Sequence, residues 1–236
     1  MRAVVHESGG HSRAMAIDIE TKDCTALSDA DFAELGDISA ETSEDLGIGL
    51  LSKQAEAWVL ITLARDNGKL KGFSFSTLER IGGTPSILVG VACIKRTSKR
   101  DSILRGIVTD QLRRAVLAFP DEDVLMGARF CDASGFEAYK QLGDIVPRPG
   151  HKASGEERAW GRRLAKRFGI DSSAYDDHSF EAKGDGTVAC VVDHESLKPE
   201  AIDPDVAALF SNLDASRGDS LIAFGWAMAE DLAKLA

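Results

Sequence analysis

The chain has 236 residues, of which 44% are hydrophobic and 28% are charged. This composition is typical of a globular protein with one large domain, or with one domain and an extension. The longest apolar run, residues 221–229, is about half as long as a membrane helix, and residues 1–16 lack the continuous apolar core of a secretory signal. We therefore expect a cytoplasmic protein without a membrane segment.

The formal net charge of −10 is unevenly distributed along the chain. Residues 95–114 contain seven basic and two acidic residues, and residues 148–168 contain another seven basic and two acidic residues. Segregated charge of this kind can attract an anion to one face of a protein while the remainder repels anions. The alternative is that each basic window is a solvated helix face.

The cysteines and histidines show no metal-binding motif. The four cysteines, Cys24, Cys93, Cys131 and Cys190, form no CxxC pair, and the five histidines do not have the spacing of metal ligands. Thiols stay reduced in the cytoplasm. We expect free cysteines and no metal.

The N-terminal half is predicted to contain two helices and a hairpin. One helix begins after Ser28, a good N-cap residue, and a second covers about residues 42–53. Residues 57–65 are rich in β-branched and aromatic side chains, and residues 70–78 alternate between apolar and small or polar ones. The turn sequence over residues 66–69 favours pairing of these two strands.

The middle of the chain alternates between strands and helices. Residues 86–94 are almost continuously apolar, as in a central strand that is covered on both faces. Residues 101–119 have apolar residues at helical spacing, and residues 124–130 form a further short strand. Ser134 and Glu137 have the capping-box pattern that starts a helix.

The C-terminal third is predicted to be mostly helical. A second capping box starts a helix at Ser154, and residues 187–192 are the last convincing strand. Residues 204–213 and 219–235 have helical patterns. Their apolar side chains can either cover the sheet or pair with a second copy of the chain.

Strands that alternate with helices predict an α/β fold with a mixed sheet and helices on both of its faces. We expect three regions. Residues 1–27 form a tail that can include a first strand, residues 28–192 form the main domain, and residues 193–236 form a C-terminal helical extension.

Residues 139–143 read Tyr-Lys-Gln-Leu-Gly, at the end of the short helix after the strand over residues 124–130. With this motif and the order of its elements, the segment over residues 28–192 resembles the core of the GCN5-related N-acetyltransferase (GNAT) superfamily, whose closing motif is a Tyr followed by a Leu-Gly pair. The resemblance implies two central parallel strands that splay apart, with acyl-coenzyme A in the V-shaped gap. It also implies transfer of an acyl group, in most members acetyl, to an amine on a small molecule or peptide.

The resemblance also implies a cofactor-binding turn between the central strand and the long helix. The family pattern there is Arg/Gln-x-x-Gly-x-Gly/Ala, whose glycines let backbone amides approach a pyrophosphate at a helix N-terminus. Only Gly106-Ile107 fits that pattern here. Basic side chains can replace the amides, so the cofactor-binding candidates are Cys93, Ile94, Arg96, Lys99, Arg100, Arg105, Gly106 and Ile107.

Two residues are candidates for the chemistry of acyl transfer. By the resemblance, Tyr139 protonates the departing coenzyme A thiolate, which leaves more easily when a hydroxyl donor is close. Glu79, near the end of the strand that precedes the central one, is the first candidate for the base that takes the proton from the attacking amine.

Two other functions compete with acyl transfer. The poorly matching turn also fits a GNAT-like domain that has lost catalysis and serves as a binding or regulatory module, assembled through its C-terminal helices as a homodimer. The two basic windows also fit nucleic-acid binding. This last alternative is less favoured, because aromatic residues are few and the chain as a whole is acidic.

Overall fold

The computed structural model describes residues 17–42 and 46–235, so the predicted tail over the first dozen residues lies outside the described part. The strands found there are β1 (Asp18–Asp23), β2 (Leu60–Asp66), β3 (Lys69–Ile81), β4 (Thr84–Ile94), β5 (Val124–Phe130), β6 (Gly143–Val146), β7 (Tyr175–Asp176), β8 (Glu181–Ala182), β9 (Val192–Asp193) and β10 (Ser220–Ala227). The α-helices are α1 (Asp29–Ser39), α2 (Gly47–Ala57), α3 (Arg100–Ala118), α4 (Gly155–Arg167), α5 (Pro204–Ala208) and α6 (Ala229–Leu232).

All of these strands belong to one mixed sheet. Their order is β1-β2-β3-β4-β5-β10-β8-β7, with β9 also paired to β4 and β6 also paired to β10. The first four strands form an antiparallel meander, and every residue of β4 after Thr84 is buried, so both faces of the sheet are covered at its centre. The predicted mixed α/β fold is confirmed.

The two central strands β4 and β5 run parallel and then separate. They are paired only where Ser86–Leu88 of β4 lies beside Leu125–Gly127 of β5. Further along β4, the edge that faces β5 pairs with the two-residue strand β9 instead. The splayed pair that the sequence predicts is therefore present. The gap between β4 after Leu88 and β5 after Gly127 is called the central cleft below.

The predicted helix over residues 219–235 is wrong for most of its length. Residues 220–227 form β10, which pairs with β5 on one edge and with β6 and β8 on the other. By periodicity alone, a short apolar run of this kind is compatible with either a helix or a buried strand. The segment forms a strand because the sheet buries its side chains on both faces. Because Leu221 and Phe224 are buried in the sheet, they are not available to pair with a second copy of the chain.

Three other predicted elements are shorter or different. The helix after Ser134 is a 3-10 helix, Gly135–Tyr139, without a side-chain cap, because the Ser134 amide donates to the Asp132 carboxylate instead. The predicted helix over residues 204–213 ends at Ala208, and the strand over residues 187–192 is reduced to β9. The predicted caps at Ser28 and Ser154 do form. No helix of the described residues is both long and apolar enough to cross a membrane.

A β-bulge in β4 lies at the start of the central cleft. Gly90 and Val91 together oppose the single residue of β3 between Ser74 and Ser76. Gly90 also lies against the indole of Trp58, so a Cβ atom at this position would be 2.1 Å from the ring. The indole is held in place, since its N–H donates to Gln54 Oε1 over 2.9 Å and the Arg167 guanidinium lies over the ring, 5.0 Å from its centroid.

We expect Gly90→Ala to destabilise the protein by about 1–3 kcal/mol, because the new methyl group overlaps the fixed Trp58 ring. Urea denaturation measures the change. Gly49→Ala is the matched control. It meets no atom within 4 Å, and it should be neutral or stabilise the α2 helix by up to about 1 kcal/mol. Equal stabilities of the two variants would contradict the packing of Trp58 on β4.

Candidate cofactor cleft

The chain itself fills the central cleft. Residues 191–196, called the strap below, run parallel to β4 on the edge that faces β5. The Ala92 N–H donates to the Val191 carbonyl over 3.2 Å, and Ala92 and Cys93 pair with Val192 and Asp193. The strand edge that the sequence predicts to bind the cofactor therefore binds an extended peptide.

Five of the six strap residues are buried, although four of the six are polar. Val191, Val192, Asp193, His194 and Ser196 are each no more than 5% exposed. Polar groups at this depth need partners. Most of the partners come from the basic turn, residues 95–100, which joins β4 to α3.

Arg96 binds the strap through two carboxylates. Its Nη2 donates to Asp193, and its Nε lies 3.4 Å from Glu195 Oε2. Its Nη1 donates to the Ile94 carbonyl over 2.9 Å, which fixes the guanidinium at the end of β4. The Asp193 carboxylate is almost fully buried, so this is a desolvated ion pair.

The side chain of Arg100, the first residue of α3, binds mainly to backbone carbonyls of the strap. Its Nε donates to the Glu195 carbonyl over 2.6 Å, its Nη2 donates to the Ser196 carbonyl over 3.3 Å, and Nη2 also lies 3.4 Å from Glu195 Oε1. No side chain caps the start of α3. The positive end of the helix therefore lies beside the acidic residues of the strap.

His194 is the strap residue that contacts α3, and one of its ring nitrogens has no hydrogen-bond partner among the described residues. Its Nε2 is 3.1 Å from Asp101 Oδ1, whereas its buried Nδ1 has no hydrogen-bond partner among the described residues. Burial lowers the pKa of the imidazole, with a smaller contribution from the charges of Arg96 and Arg100. The Asp101 carboxylate acts in the opposite direction. The folded protein thus favours a neutral His194.

The other predicted residues of the turn behave differently from one another. Lys99 is bonded to both carboxylate oxygens of Asp66 at 2.9 Å, away from the strap. Arg105 is exposed and lines a cavity of about 150 Å³ together with Lys140 and His194. Arg96 and Arg100 are therefore the cationic pair that meets at the end of the central cleft.

The predicted role of Gly106 and Ile107 in the turn is wrong. Both lie inside α3, in its second turn, because the helix already begins at Arg100. Gly106 packs against Ile19 of β1, so that a Cβ atom at this position would lie 3.1 Å from the Ile19 side chain, and Ile107 is buried in the core. Their amides belong to the helix, so they are not free to bind a pyrophosphate.

Cys93 and Ile94 lie on β4 beside the strap, and both are buried. Cys93 borders a cavity of about 180 Å³ that is also lined by Cys131 and Val191. Burial raises the pKa of the Cys93 thiol, and the nearby Asp193 carboxylate adds to the effect. The thiol is therefore neutral, and all four cysteines are free, as predicted.

Tyr139 is completely buried. Its ring makes an edge-to-face contact with Phe130, with 5.1 Å between centroids. Its hydroxyl has no hydrogen-bond partner among the described residues, and burial raises the pKa of that hydroxyl. An orphan hydroxyl of this kind costs about 1–3 kcal/mol. In this conformation Tyr139 cannot reach a ligand from solvent.

Glu79 lies away from the basic turn. It pairs with Ser86 of β4. Ser86 lies six residues before Ala92, so the two positions are about 20 Å apart along the strand. Its carboxylate accepts a hydrogen bond from Arg167 Nε over 2.9 Å. The structure therefore does not bring Glu79 to the cofactor end of the central cleft.

Three of the basic residues in the second window contact side chains of the chain itself. Arg162 pairs with Asp177, Arg167 pairs with Glu79, and Arg163 stacks on Trp160. Such residues offer few free charges to a nucleic-acid backbone. Residues 17–42 and 46–235 contain no cluster of three or more His, Cys, Asp or Glu side chains that could hold a metal ion.

The acidic residues of the strap are the part of the site that the sequence did not predict. Asp193 and Glu195 follow an apolar pair, and nothing in their local pattern marks them as neighbours of residues 95–100. Charge complementarity with the first basic window was the available signal. It could not be used without knowing that residues 191–196 return to β4.

We expect the protein to lose stability as the pH falls below about 6.5, the ordinary pKa of histidine. The unfolded chain takes up a proton on His194 that the folded chain resists, so unfolding is favoured by at most about 1.4 kcal/mol per pH unit. The free energy of unfolding in urea between pH 7.5 and pH 5.5 measures this slope, taken in steps of about half a unit. His194→Gln should flatten it, whereas equal slopes in the two proteins would contradict a neutral buried His194.

No family model matches the chain, and no curated protein matches it either. Similar solved structures include the ribosomal-protein-S18-alanine N-acetyltransferase from Escherichia coli, with 9% identity over 89% of this chain and 95% of that one and a TM-score of 0.43. An aminoglycoside 6'-acetyltransferase type Ii shares 14% identity over 56% of this chain and 87% of that one, with a TM-score of 0.42.

A GNAT family acetyltransferase from Brucella melitensis, solved in complex with acetyl-CoA, shares 14% identity over 46% of this chain and 75% of that one, with a TM-score of 0.34. Scores and identities this low do not by themselves establish a relationship. The fold is assigned from the geometry of the chain itself, namely the antiparallel meander, the parallel pair that separates after Leu88 and the helix that follows β4. On these features the chain has a GNAT-like fold.

Proposed function

We propose that this chain is an acyl-CoA-dependent N-acyltransferase whose cofactor cleft is closed in the conformation described here. One observation carries the proposal. In the central cleft an extended segment, the strap, already pairs with the edge of β4 that faces β5. The carboxylates of this segment form ion pairs with Arg96 and Arg100. An acyl-CoA molecule has the same layout, with an extended amide-containing arm followed by anionic phosphates.

The residues around the cleft fit such a ligand. The Ala92 N–H can donate to an amide or thioester carbonyl as it now donates to Val191. Arg96, Arg100 and the uncapped start of α3 supply the positive charge for a diphosphate. These groups take the place of the glycine-rich amides that the turn lacks. Acetyl-CoA is the acyl donor to test first, and the thioester it supplies is the activated acyl group.

In the proposed reaction an amine attacks the thioester carbonyl directly. A C–N bond forms, the C–S bond breaks, the amine loses a proton and the thiolate gains one. Tyr139 remains the candidate proton donor, because its hydroxyl has no other partner in the described structure. Glu79 does not fit the role of the base in this conformation, because Arg167 holds it about 20 Å along the strand from Ala92. The acidic surface outside the basic windows favours a cationic amine substrate.

A second candidate is a GNAT-like binding or regulatory module without catalysis. The specific observation in its favour is the filled cleft, together with a Tyr139 side chain that is buried completely. The two candidates differ in one property. The enzyme must bind acyl-CoA, whereas the module need not.

We expect the protein to bind acetyl-CoA and free coenzyme A in isothermal titration, and Arg100→Glu to weaken both about tenfold to hundredfold. Loss of charge-assisted bonds to the phosphates is the physical reason. Lys152→Glu is the matched control, since it makes the same charge change at an exposed loop residue. If neither ligand binds at about 1 mM, where the binding free energy is only about 4 kcal/mol, the acyltransferase proposal is rejected and the binding module remains.

Tyr139→Phe should have opposite effects on stability and on turnover. Removing an unsatisfied buried hydroxyl should stabilise the fold by about 1 kcal/mol, while loss of the proton donor should lower kcat by about 10²- to 10⁴-fold. Urea denaturation and a thiol-release assay with acetyl-CoA and polyamines provide the two measurements.

The control for Tyr139→Phe is Tyr175→Phe, which removes another orphan hydroxyl away from the cleft. It should stabilise the fold similarly and leave kcat unchanged. Unchanged turnover in Tyr139→Phe would rule out the proposed proton donor.

A further inference from the structure

The strap matches the expected ligand of the cleft in backbone pairing and in charge. Its first residues use the β4 donor that a pantetheine arm would use, through the bond from the Ala92 N–H to Val191. Asp193 and Glu195 then place their carboxylates on the two arginines that would hold a diphosphate. A peptide and a cofactor that need the same donors cannot both occupy them.

We propose that the strap is an internal competitor of acyl-CoA, so that the cofactor binds only after residues 191–196 leave β4. This inference rests on the proposed function of the cleft. It adds that the apparent affinity for acyl-CoA is set by the fraction of molecules in which the strap is released. The fold thereby contains its own reversible inhibitor.

The way in which the strap is held allows it to leave. Only Val192 and Asp193 have strand geometry, and residues 183–190 before them form no helix or strand. Besides the burial of Val191 and Val192 and a few backbone hydrogen bonds, the strap is held by ion pairs. A buried ion pair contributes little net stability because both charges lose their hydration. The unsatisfied Nδ1 of His194 further weakens the closed state.

Release of the strap should expose a side chain that can be followed without any cofactor. Cys93 is 2% exposed, and its strand is paired with Asp193 at that position. In the closed state burial also keeps the Cys93 thiol in its unreactive neutral form. The rate at which this one cysteine is alkylated therefore reports how often the strap is away from β4.

The test removes the two strap carboxylates while keeping their shape, in the double variant Asp193→Asn/Glu195→Gln. Alkylation by N-ethylmaleimide, with the label assigned to Cys93 by mass spectrometry, should be at least about tenfold faster than in the wild type. The affinity for acetyl-CoA and for free coenzyme A should rise by a similar factor, because both follow the released fraction. Circular dichroism checks that the variant is folded.

The matched control is Glu200→Gln/Asp205→Asn, which removes two exposed carboxylates just outside the strap. It should change neither the labelling rate nor the affinity. If the double strap variant fails to fold, Glu195→Gln alone takes its place. Its carboxylate is more than half exposed, and its loss should give a smaller change of the same sign in both measurements.

The outcomes separate this inference from the proposed function. Unchanged Cys93 labelling together with wild-type affinity for acetyl-CoA would overturn the competitor role and leave the acyltransferase proposal intact. Faster Cys93 labelling without any coenzyme A binding would overturn the acyltransferase proposal, and the competitor role with it. A parallel rise of labelling and affinity supports both.

Discussion

The edge of β4 that faces β5 loses its neighbouring strand after Leu88, and the site is built around that edge. After Leu88, β5 turns away and leaves the backbone donors and acceptors of a central strand without a neighbour. Buried backbone groups must be satisfied, so something has to lie in the central cleft. In this structure the neighbour is the strap, which the chain brings back to β4 from a point about one hundred residues further along.

The charges around the cleft follow from the same constraint. Arg96 and Arg100 are fixed at the point where β4 ends and α3 begins, so positive charge and a helix N-terminus meet at one end of the gap. Any chain that fills the gap has to supply negative charge there, and Asp193 and Glu195 do so. The strap satisfies both requirements, because it is extended beside β4 and carries its carboxylates at the basic end.

Two of the buried polar groups without a partner lie close to the central cleft. Tyr139 and His194 carry buried atoms without partners among the described residues, one on the 3-10 helix after β5 and one in the strap itself. Folded proteins rarely keep such groups, and they are expected at functional or strained sites. A cleft that exchanges the strap for a ligand gives a reason for both.

Much of the fold could be predicted from the sequence, because its signals are local. As predicted, the apolar segment over residues 86–94 forms a strand, and the segment with helical spacing over residues 101–119 forms a helix. The predicted cap at Ser154 also forms. The C-terminal strand was mistaken for a helix because Leu221 and its neighbours are apolar throughout, and only pairing with β5 decides between the two.

For the candidate site, the sequence identified the basic turn but not its partner. Arg96 and Arg100 stand out by charge and by position after a predicted strand. The contact of Arg96 with Asp193 joins residues far apart in the chain, so no spacing rule could reveal it. The family pattern places Gly106 in the turn, but in the structure the helix begins at Arg100 and Gly106 lies inside it.

Hydrogen–deuterium exchange can show whether acyl-CoA and the strap compete for β4. Peptides that cover residues 191–196 and residues 92–94 would be followed with and without saturating acetyl-CoA. We expect faster exchange in the strap, while the β4 amides remain protected because the ligand replaces the strap as their partner. Unchanged exchange in the strap at saturation, or protection that appears only elsewhere on the protein, would contradict this competition.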